Sequence, residues 1–474
     1  MDDLGKVNWL PPVPKRPLPK GADDQTIVIT SALPRPEPHS YDMAPLVEPI
    51  HLTTSYEVAT PEAFTDDLLN RGRYVYQRLW NRTTEAAELT ISQLEQAAGS
   101  LLYVSGVAAL SSLFVTVLKP GDHIVAHAPC YAGLHHILEH YLPRLNMTST
   151  QVPAGSDTQA FRQACQPNTK LFMVESPCNP DTSILDIEAL VKVARDLNIL
   201  ICLDGTFATP ILQKVIPMGV DFSLHSCTKY IAGHSDVIAG CISTRTLEQY
   251  QQLKMSQFGF TGTSLGPFEA YQVHHAMRTL PIRMEKHSAN ALALSQALEK
   301  HPMVNWVRYP GLPSHPGHEI AKKQMKSFGG LVAFEVKGNA EGARTFVTSL
   351  KVATLTAAIG GIKTYVNNPY SFSHGPLMMN DEDRAKARVT EGLIRLSVGL
   401  ENVDDLIADF NQALDLIVPC TDHTLPGHAS KEFFEQGDEV KQKYQRPRGV
   451  EDDSGYITIN YERYYCSAFV PHAL

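Results

Sequence analysis

Five short apolar runs punctuate the first half of the chain: DHIVAHA, KLFMVES, NILICLD, VDFSLHS and VIAGCIS. Each spans about 4 to 8 apolar-rich residues, the length of a buried strand rather than a helix. Between two of them stands DIEALVKVARDL, where Asp186 is placed to cap a helix and Ile187, Leu190, Val191 and Ala194 fall on one face. Alternation of this kind predicts β-α-β units and a largely parallel sheet flanked by helices.

The pattern changes on both sides of this block. Residues 1 to about 25 are rich in Pro and Lys without a period, so an N-terminal arm over 1–72 is expected, its first part disordered or extended. APLVEPIHLTTSYE reads as extended and EAAELTISQLEQAA as a helix. A large domain over 73–275 follows. From about 276 a long amphipathic helix (RMEKHSANALALSQALEKH), then GGLVAFEVKG, GLIRLSVGLE and VDDLIADFNQALDLI, predict a smaller α/β domain over 276–417. The extension 418–474 is polar and acquires no role from its pattern.

Composition narrows the class. The 474 residues are 43% hydrophobic and 19% charged, which is ordinary for a globular enzyme. The formal net charge of -9 argues against a nucleic-acid partner. No apolar run approaches the roughly 20 residues of a membrane span, and MDDLGKVNWLPPVPKRPLPK lacks the core of a signal peptide. A cytoplasmic protein with no membrane partner is expected. The eight cysteines include no CxxC pair, and reduced buried thiols fit them best.

Candidate chemistry centres on SLHSCTKYIAGHSDV, where Lys229 follows a strand-like run among Ser226, Thr228 and Tyr230. A lysine that forms a Schiff base must lose its proton, and a strand end lined by neutral hydroxyls favours that. Pyridoxal phosphate needs such a lysine, a carboxylate for its ring nitrogen and several donors for its phosphate. Asp204 ends the preceding strand, and ligands of open α/β sheets bind at carboxyl ends of strands, which also brings in Glu175 and Ser226. Ser105, Gly106 and Val107 open the predicted helix of YVSGVAALSSLF, whose free N–H groups suit an anion. Residues 73–275 thereby become a cofactor-binding domain.

YVYQR, CYAG, ESPCNP, DGTFATP, SxTKYxxGHSD and LIRLSVGLE, in this order along the chain, resemble the γ-family (Cys/Met metabolism) of fold-type I pyridoxal-phosphate enzymes. RMEKH followed by YPGLPSHPGHE is most similar to the cystathionine γ-lyases, and the resemblance runs over roughly 43–417. It implies an aminotransferase-like fold with pyridoxal 5'-phosphate on Lys229, which also shuttles protons, and Asp204 at the ring nitrogen. Tyr131 would stack on the ring as acid or base. Ser105, Gly106, Val107, Ser226 and Thr228 would hold the phosphate, joined by Tyr76 and Arg78 of a neighbouring subunit in a homodimer or homotetramer. Asn179 would approach the ring hydroxyl and Arg395 would clamp the substrate carboxylate. The implied reaction is γ-elimination on a sulfur-containing or γ-substituted amino acid such as cystathionine, giving a 2-oxo acid and ammonia. γ-Replacement on an activated homoserine is the alternative.

Several positions depart from that pattern. Gly205 stands where the family has asparagine and Arg82 where it has proline; one lost amide contact is worth about 0.5–1.5 kcal/mol and does not abolish binding. In the distal substrate pocket His136 replaces an arginine, and AIGGIKT places Ala358, Lys363 and Thr364 for serine, glutamate and serine. Unit charges about 4 Å apart interact by roughly 4 kcal/mol at an effective dielectric of 20, so a lysine facing the pocket would change substrate choice by orders of magnitude. A lysine turned to solvent would leave it untouched.

Two competing readings remain. His136, Glu139 and His140 spell H-x-x-E-H, the inverted-zincin spacing, which suggests a zinc hydrolase if a third ligand is found. The expectation is that no metal binds. A cofactor-binding protein without turnover is the other reading. A nicotinamide enzyme is disfavoured because no GxGxxG follows a strand.

Overall fold

In the computed structural model the described residues are 11–12, 18, 21–31, 46–70, 74–153, 157–375 and 379–418. The chain divides into compact units at 1–419 and 420–474, and the second lies wholly outside the described residues, as does nearly all of the 418–474 extension. The 72/73 division also falls outside them.

The larger sheet has seven strands: β1 (Gly99–Tyr103), β2 (His123–Ala128), β3 (Thr148–Pro153), β4 (Thr169–Glu175), β5 (Leu200–Asp204), β6 (Phe222–His225) and β7 (Gly240–Thr244). Their spatial order is β1-β7-β6-β5-β4-β2-β3. β3, β2, β4, β5 and β6 run parallel, whereas β7 is antiparallel to both β6 and β1. All five apolar runs are strands, and helices cover the sheet as expected. β1 and β3 were not foreseen. β3 is an edge strand of mostly half-exposed polar residues, so it carries no apolar run.

Helix Ile187–Asp196 shows how the local code works. Asp186 accepts from the Ala189 N–H at 3.1 Å, and Ile187, Leu190, Val193 and Ala194 are buried. Val191, expected on the inner face, lies at its margin and is only partly buried.

The second sheet comprises β8 (Val304–Arg308), β9 (Leu331–Val336), β10 (Thr354–Leu355), β11 (Tyr365–Asn367) and β12 (Leu393–Ser397), ordered β10-β11-β12-β9-β8. Its pairs are antiparallel except β10 with β11. Helices Leu280–Leu298 and Val403–Leu414 pack with it in a core containing Phe334, Phe346 and Phe410. Helix Pro267–Met277 runs across the 275/276 division drawn from the pattern.

Within the N-terminal arm Asp24–Thr30 is a helix that begins where the Pro- and Lys-rich stretch ends, and most of that stretch lies outside the described residues. Asp23 caps it, and Ile27 and Val28 are buried in the core of the larger sheet. Asp24 bonds to Lys214 Nζ at 2.7 Å and to Lys326 Nζ at 3.0 Å. Among the described residues no helix is long and apolar enough to cross a membrane. The six described cysteines are free thiols.

Candidate active site

The site grows from the carboxyl ends of β4, β5 and β6. Parallel pairing sets Glu175 beside Asp204 and Asp204 beside Leu224, two residues before Ser226. Two neighbouring carboxyls away from water cannot both ionise freely. Burial pushes both above the usual carboxylate range, and Asp204 pushes Glu175 further. Each has donors that favour its charged form. Glu175 accepts the backbone N–H groups of Tyr131 at 2.9 Å and Asn179 at 2.8 Å. Asp204 Oδ1 accepts the Thr206 N–H at 2.9 Å and its hydroxyl at 2.5 Å.

Lys229 lies one turn beyond β6, its N–H bonded to the Ser226 carbonyl at 3.1 Å. Burial, reinforced by the Arg395 guanidinium, lowers its ammonium from the ordinary lysine value, so the neutral amine is easier to reach. Gly360 is pressed on this segment. Its φ is +78°, and a Cβ there would stand 2.5 Å from Tyr230 N and 2.7 Å from Lys229 C. Only glycine accepts both demands.

Arg395 on β12 is 3% exposed. Its Nη1 donates to Asn179 Oδ1 at 3.0 Å and Nη2 to the Ala357 carbonyl at 3.1 Å. Burial lowers its pKa to about 10, and it keeps its charge at neutral pH. Tyr131 begins helix Ala132–His136, and its ring folds over Gly133, where an added Cβ would meet ring carbon Cε1 at 2.4 Å. Burial, then Asp204 and Glu175, raise its phenol above the ordinary tyrosine value.

An anion cradle adjoins the lysine. Gly106 opens a 12-residue helix capped by Ser105, whose side chain accepts the Ala108 N–H at 3.0 Å. A Cβ on Gly106 would sit 3.0 Å from Ser226 Cβ, so the missing side chain lets Ser226 close on the helix N-terminus. The Thr228 hydroxyl is taken up by Ala239, donating to its carbonyl at 3.1 Å and accepting its N–H at 3.0 Å. Val107 stands at the same helix start, partly exposed. Lysine, buried carboxylate, helix N-terminus and buried guanidinium together fit pyridoxal phosphate bound to an amino acid.

A match to the family described as "Cys/Met metabolism PLP-dependent enzyme" covers residues 28–415. The chain belongs to this family. It is 43% identical over 350 residues to the L-methionine gamma-lyase of Fusobacterium nucleatum subsp. nucleatum, which covers 74% of this chain and 88% of the relative. It is 40% identical over 348 residues to cystathionine gamma-synthase 1, chloroplastic, of Nicotiana tabacum, covering 73% of this chain and 64% of that one. The crystal structure of cystathionine gamma-lyase from Lactobacillus plantarum, complexed with L-serine, superposes with a TM-score of 0.74 at 31% identity, over 83% of this chain and 99% of the other. The fold is therefore that of fold-type I, and the chain is a pyridoxal-phosphate-dependent enzyme acting in Cys/Met metabolism as a lyase or a synthase.

Most of the other expected site residues have contacts of their own. Tyr76 is partly exposed, and Arg78 stacks on Tyr76 and Phe258 and donates to the Phe258 carbonyl at 2.7 Å. Lys363 is exposed and its side chain has no hydrogen bond or ion pair among the described residues. Thr364 turns its hydroxyl to Glu401 at 2.8 Å. His136 packs edge-on against His140 at 4.6 Å, while Glu139 accepts from Gln151 at 2.9 Å. The helix changes there to a π-turn over Ile137–Tyr141, and among the described residues no three His, Cys, Asp or Glu side chains are placed to hold a metal ion.

Sequence reading overlooked Thr206, Glu95 and His225. Thr206 had a signal, since a threonine two residues after an aspartate commonly bonds back to it. Glu95 and His225 had none, being 130 residues apart.

Proposed function

We propose that the enzyme catalyses γ-elimination on a sulfur-containing or otherwise γ-substituted amino acid such as cystathionine, releasing a 2-oxo acid and ammonia. The single observation that carries this is the buried Arg395 guanidinium, held by Asn179 and close enough to Lys229 to lower its pKa. One group grips a carboxylate while the other takes the adjacent α-proton.

Pyridoxal phosphate supplies an aldehyde for the amino group and a ring that accepts the electrons freed at the α-carbon. This chain's residues do the rest. Asp204 pairs with the ring nitrogen. The N–H groups of Gly106 and Val107, with the hydroxyls of Ser105 and Ser226, would hold the phosphate, and the Thr228 hydroxyl would join them by turning its proton from the Ala239 carbonyl. Asn179 positions Arg395 and would approach the ring hydroxyl. Lys229 removes the α-proton and moves it between carbons. Tyr131, whose phenol is raised by burial and two carboxylates, stays protonated at neutral pH and can protonate a departing γ-substituent.

Tyr76 and Arg78 would complete the phosphate site of a neighbouring subunit in a homodimer or homotetramer; the exposure of both side chains supports this. Lys363, His136 and Thr364 belong to the distal pocket wall in this reading, in a cytosolic enzyme of transsulfuration. The tobacco relative's name supports γ-replacement on an activated homoserine as the second reading.

The deciding experiment measures 2-oxo-acid release from L-cystathionine and from L-methionine by the cofactor-loaded protein, with Lys229→Ala as control. Release that vanishes in the control is the expected result. Loaded protein that yields product only when a thiol and an activated homoserine are both present would instead establish replacement.

A further inference from the structure

Glu95 ends the helix Arg82–Glu95 with its carboxylate fully buried. One oxygen is in short contact with His225 Nε2 and accepts the Ser223 hydroxyl at 2.8 Å. The other oxygen, and His225 Nδ1, have no partner among the described residues. The unpaired edge of the imidazole faces Gly205: a Cβ built there would stand 2.8 Å from His225 Cε1 and 3.4 Å from Nδ1. Gly205 directly follows Asp204. The ring thus lies against the peptide that leaves the cofactor-facing carboxylate, at the position where an asparagine was expected.

The titratable groups facing this ring are Glu95, Asp204 and the Cys241 thiol, which its hydrogen bond to Cys227 and its burial keep in the neutral form. Burial pushes the imidazole down, and the hydrogen bond and charge of Glu95 overcome this, raising it to about 9. A buried cation here favours the ionised form of Asp204. Asp204 needs that help, because Thr206 donates only to Oδ1 while the buried Glu175 stands beside it.

We propose that His225, bonded to Glu95, is a positioning residue that holds Asp204 as a carboxylate for the cofactor's ring nitrogen, with Gly205 leaving room for the imidazole. The proposal rests on the assignment of Asp204 to that nitrogen. An ionised Asp204 keeps the nitrogen protonated and electron-withdrawing. Losing that proton makes the Lys229 nitrogen joined to the cofactor more basic.

The test is a pH titration of the cofactor's visible absorption in loaded wild type, Glu95→Gln, His225→Gln, Asp204→Asn and the Asp204→Asn/His225→Gln double variant. Each single variant should raise the midpoint by about one unit, a ten-fold change in the proton equilibrium. The double variant should rise no further than Asp204→Asn. In cofactor-free protein, the His225 ring resonance should remain cationic through neutral pH and titrate below it in Glu95→Gln. Unmoved midpoints in Glu95→Gln and His225→Gln, or additive shifts in the double variant, would overturn the proposal. An unmoved midpoint in Asp204→Asn alone would instead remove the assignment of Asp204. If His225→Gln does not fold, Glu95→Gln keeps the ring in place and decides the matter.

Discussion

Arg395 on the smaller sheet donates to Asn179, in the loop that follows β4 of the larger sheet, across 3.0 Å. The guanidinium assigned to the substrate carboxylate is therefore aimed by a residue from the other half of the fold. Asn179→Ala leaves one arm of a buried cation unpaired. Hydrogen bonds to charged groups are worth about 1.5–3 kcal/mol, so kcat/KM should fall roughly 10- to 150-fold, mostly through KM. Arg395→Lys should cost more, since an ammonium cannot reproduce the two-pronged contact. Steady-state kinetics with an unchanged KM in both variants would dismiss the clamp.

Tyr131→Phe removes the proposed acid while leaving the ring over Gly133. Cofactor uptake should be retained and elimination should drop about 10²- to 10⁴-fold. Because the phenol is raised by burial and by Asp204 and Glu175, the alkaline limb contributed by Tyr131 should lie above the ordinary tyrosine value. An alkaline limb below that value, still present in Tyr131→Phe, would assign the limb to another group.

Lys363→Glu tests the distal pocket. A pocket-facing Lys363 selects against cationic distal groups, so the variant should gain on substrates that carry one and lose on anionic ones. Competition between paired substrates reads the ratio directly. An identical substrate profile would mean that the exposed side chain points away from the pocket.

Asp221 gives a pH prediction independent of catalysis. Its buried carboxylate takes bonds from Arg195 at 3.0 Å and Arg245 at 2.8 Å, and from the Ile201 N–H at 3.0 Å. Burial alone would raise it, but Arg195 and Arg245 hold it below the usual carboxylate range. A depressed folded pKa adds stability that is present above the unfolded value near 4 and is lost as pH falls through the folded one. Asp221→Asn should therefore lower the thermal midpoint at neutral pH, with the gap to wild type closing in acid. A gap that stays constant down to acid unfolding would contradict this.

The larger sheet was legible because its central strands are buried on both faces and read as apolar runs. Lys229, Asp204 and Gly106 were legible because strand ends and helix starts are local features. β3 was hidden because an edge strand can stay polar. The bond from Thr364 to Glu401 was hidden because the two are 37 residues apart, and no spacing announces that pair. The Glu95–His225 contact was invisible for the same reason, since pairs made between separate layers leave no period in the chain.

Asp24 has its own timetable. Its two lysine partners are encoded 190 and 302 residues downstream. At synthesis rates of about 5–20 residues per second, the second is made roughly 15 to 60 s after Asp24. Throughout that interval the apolar face carrying Ile27 and Val28 lacks its full anchor, so a nascent chain has a sticky segment to shield until its smaller sheet begins to emerge.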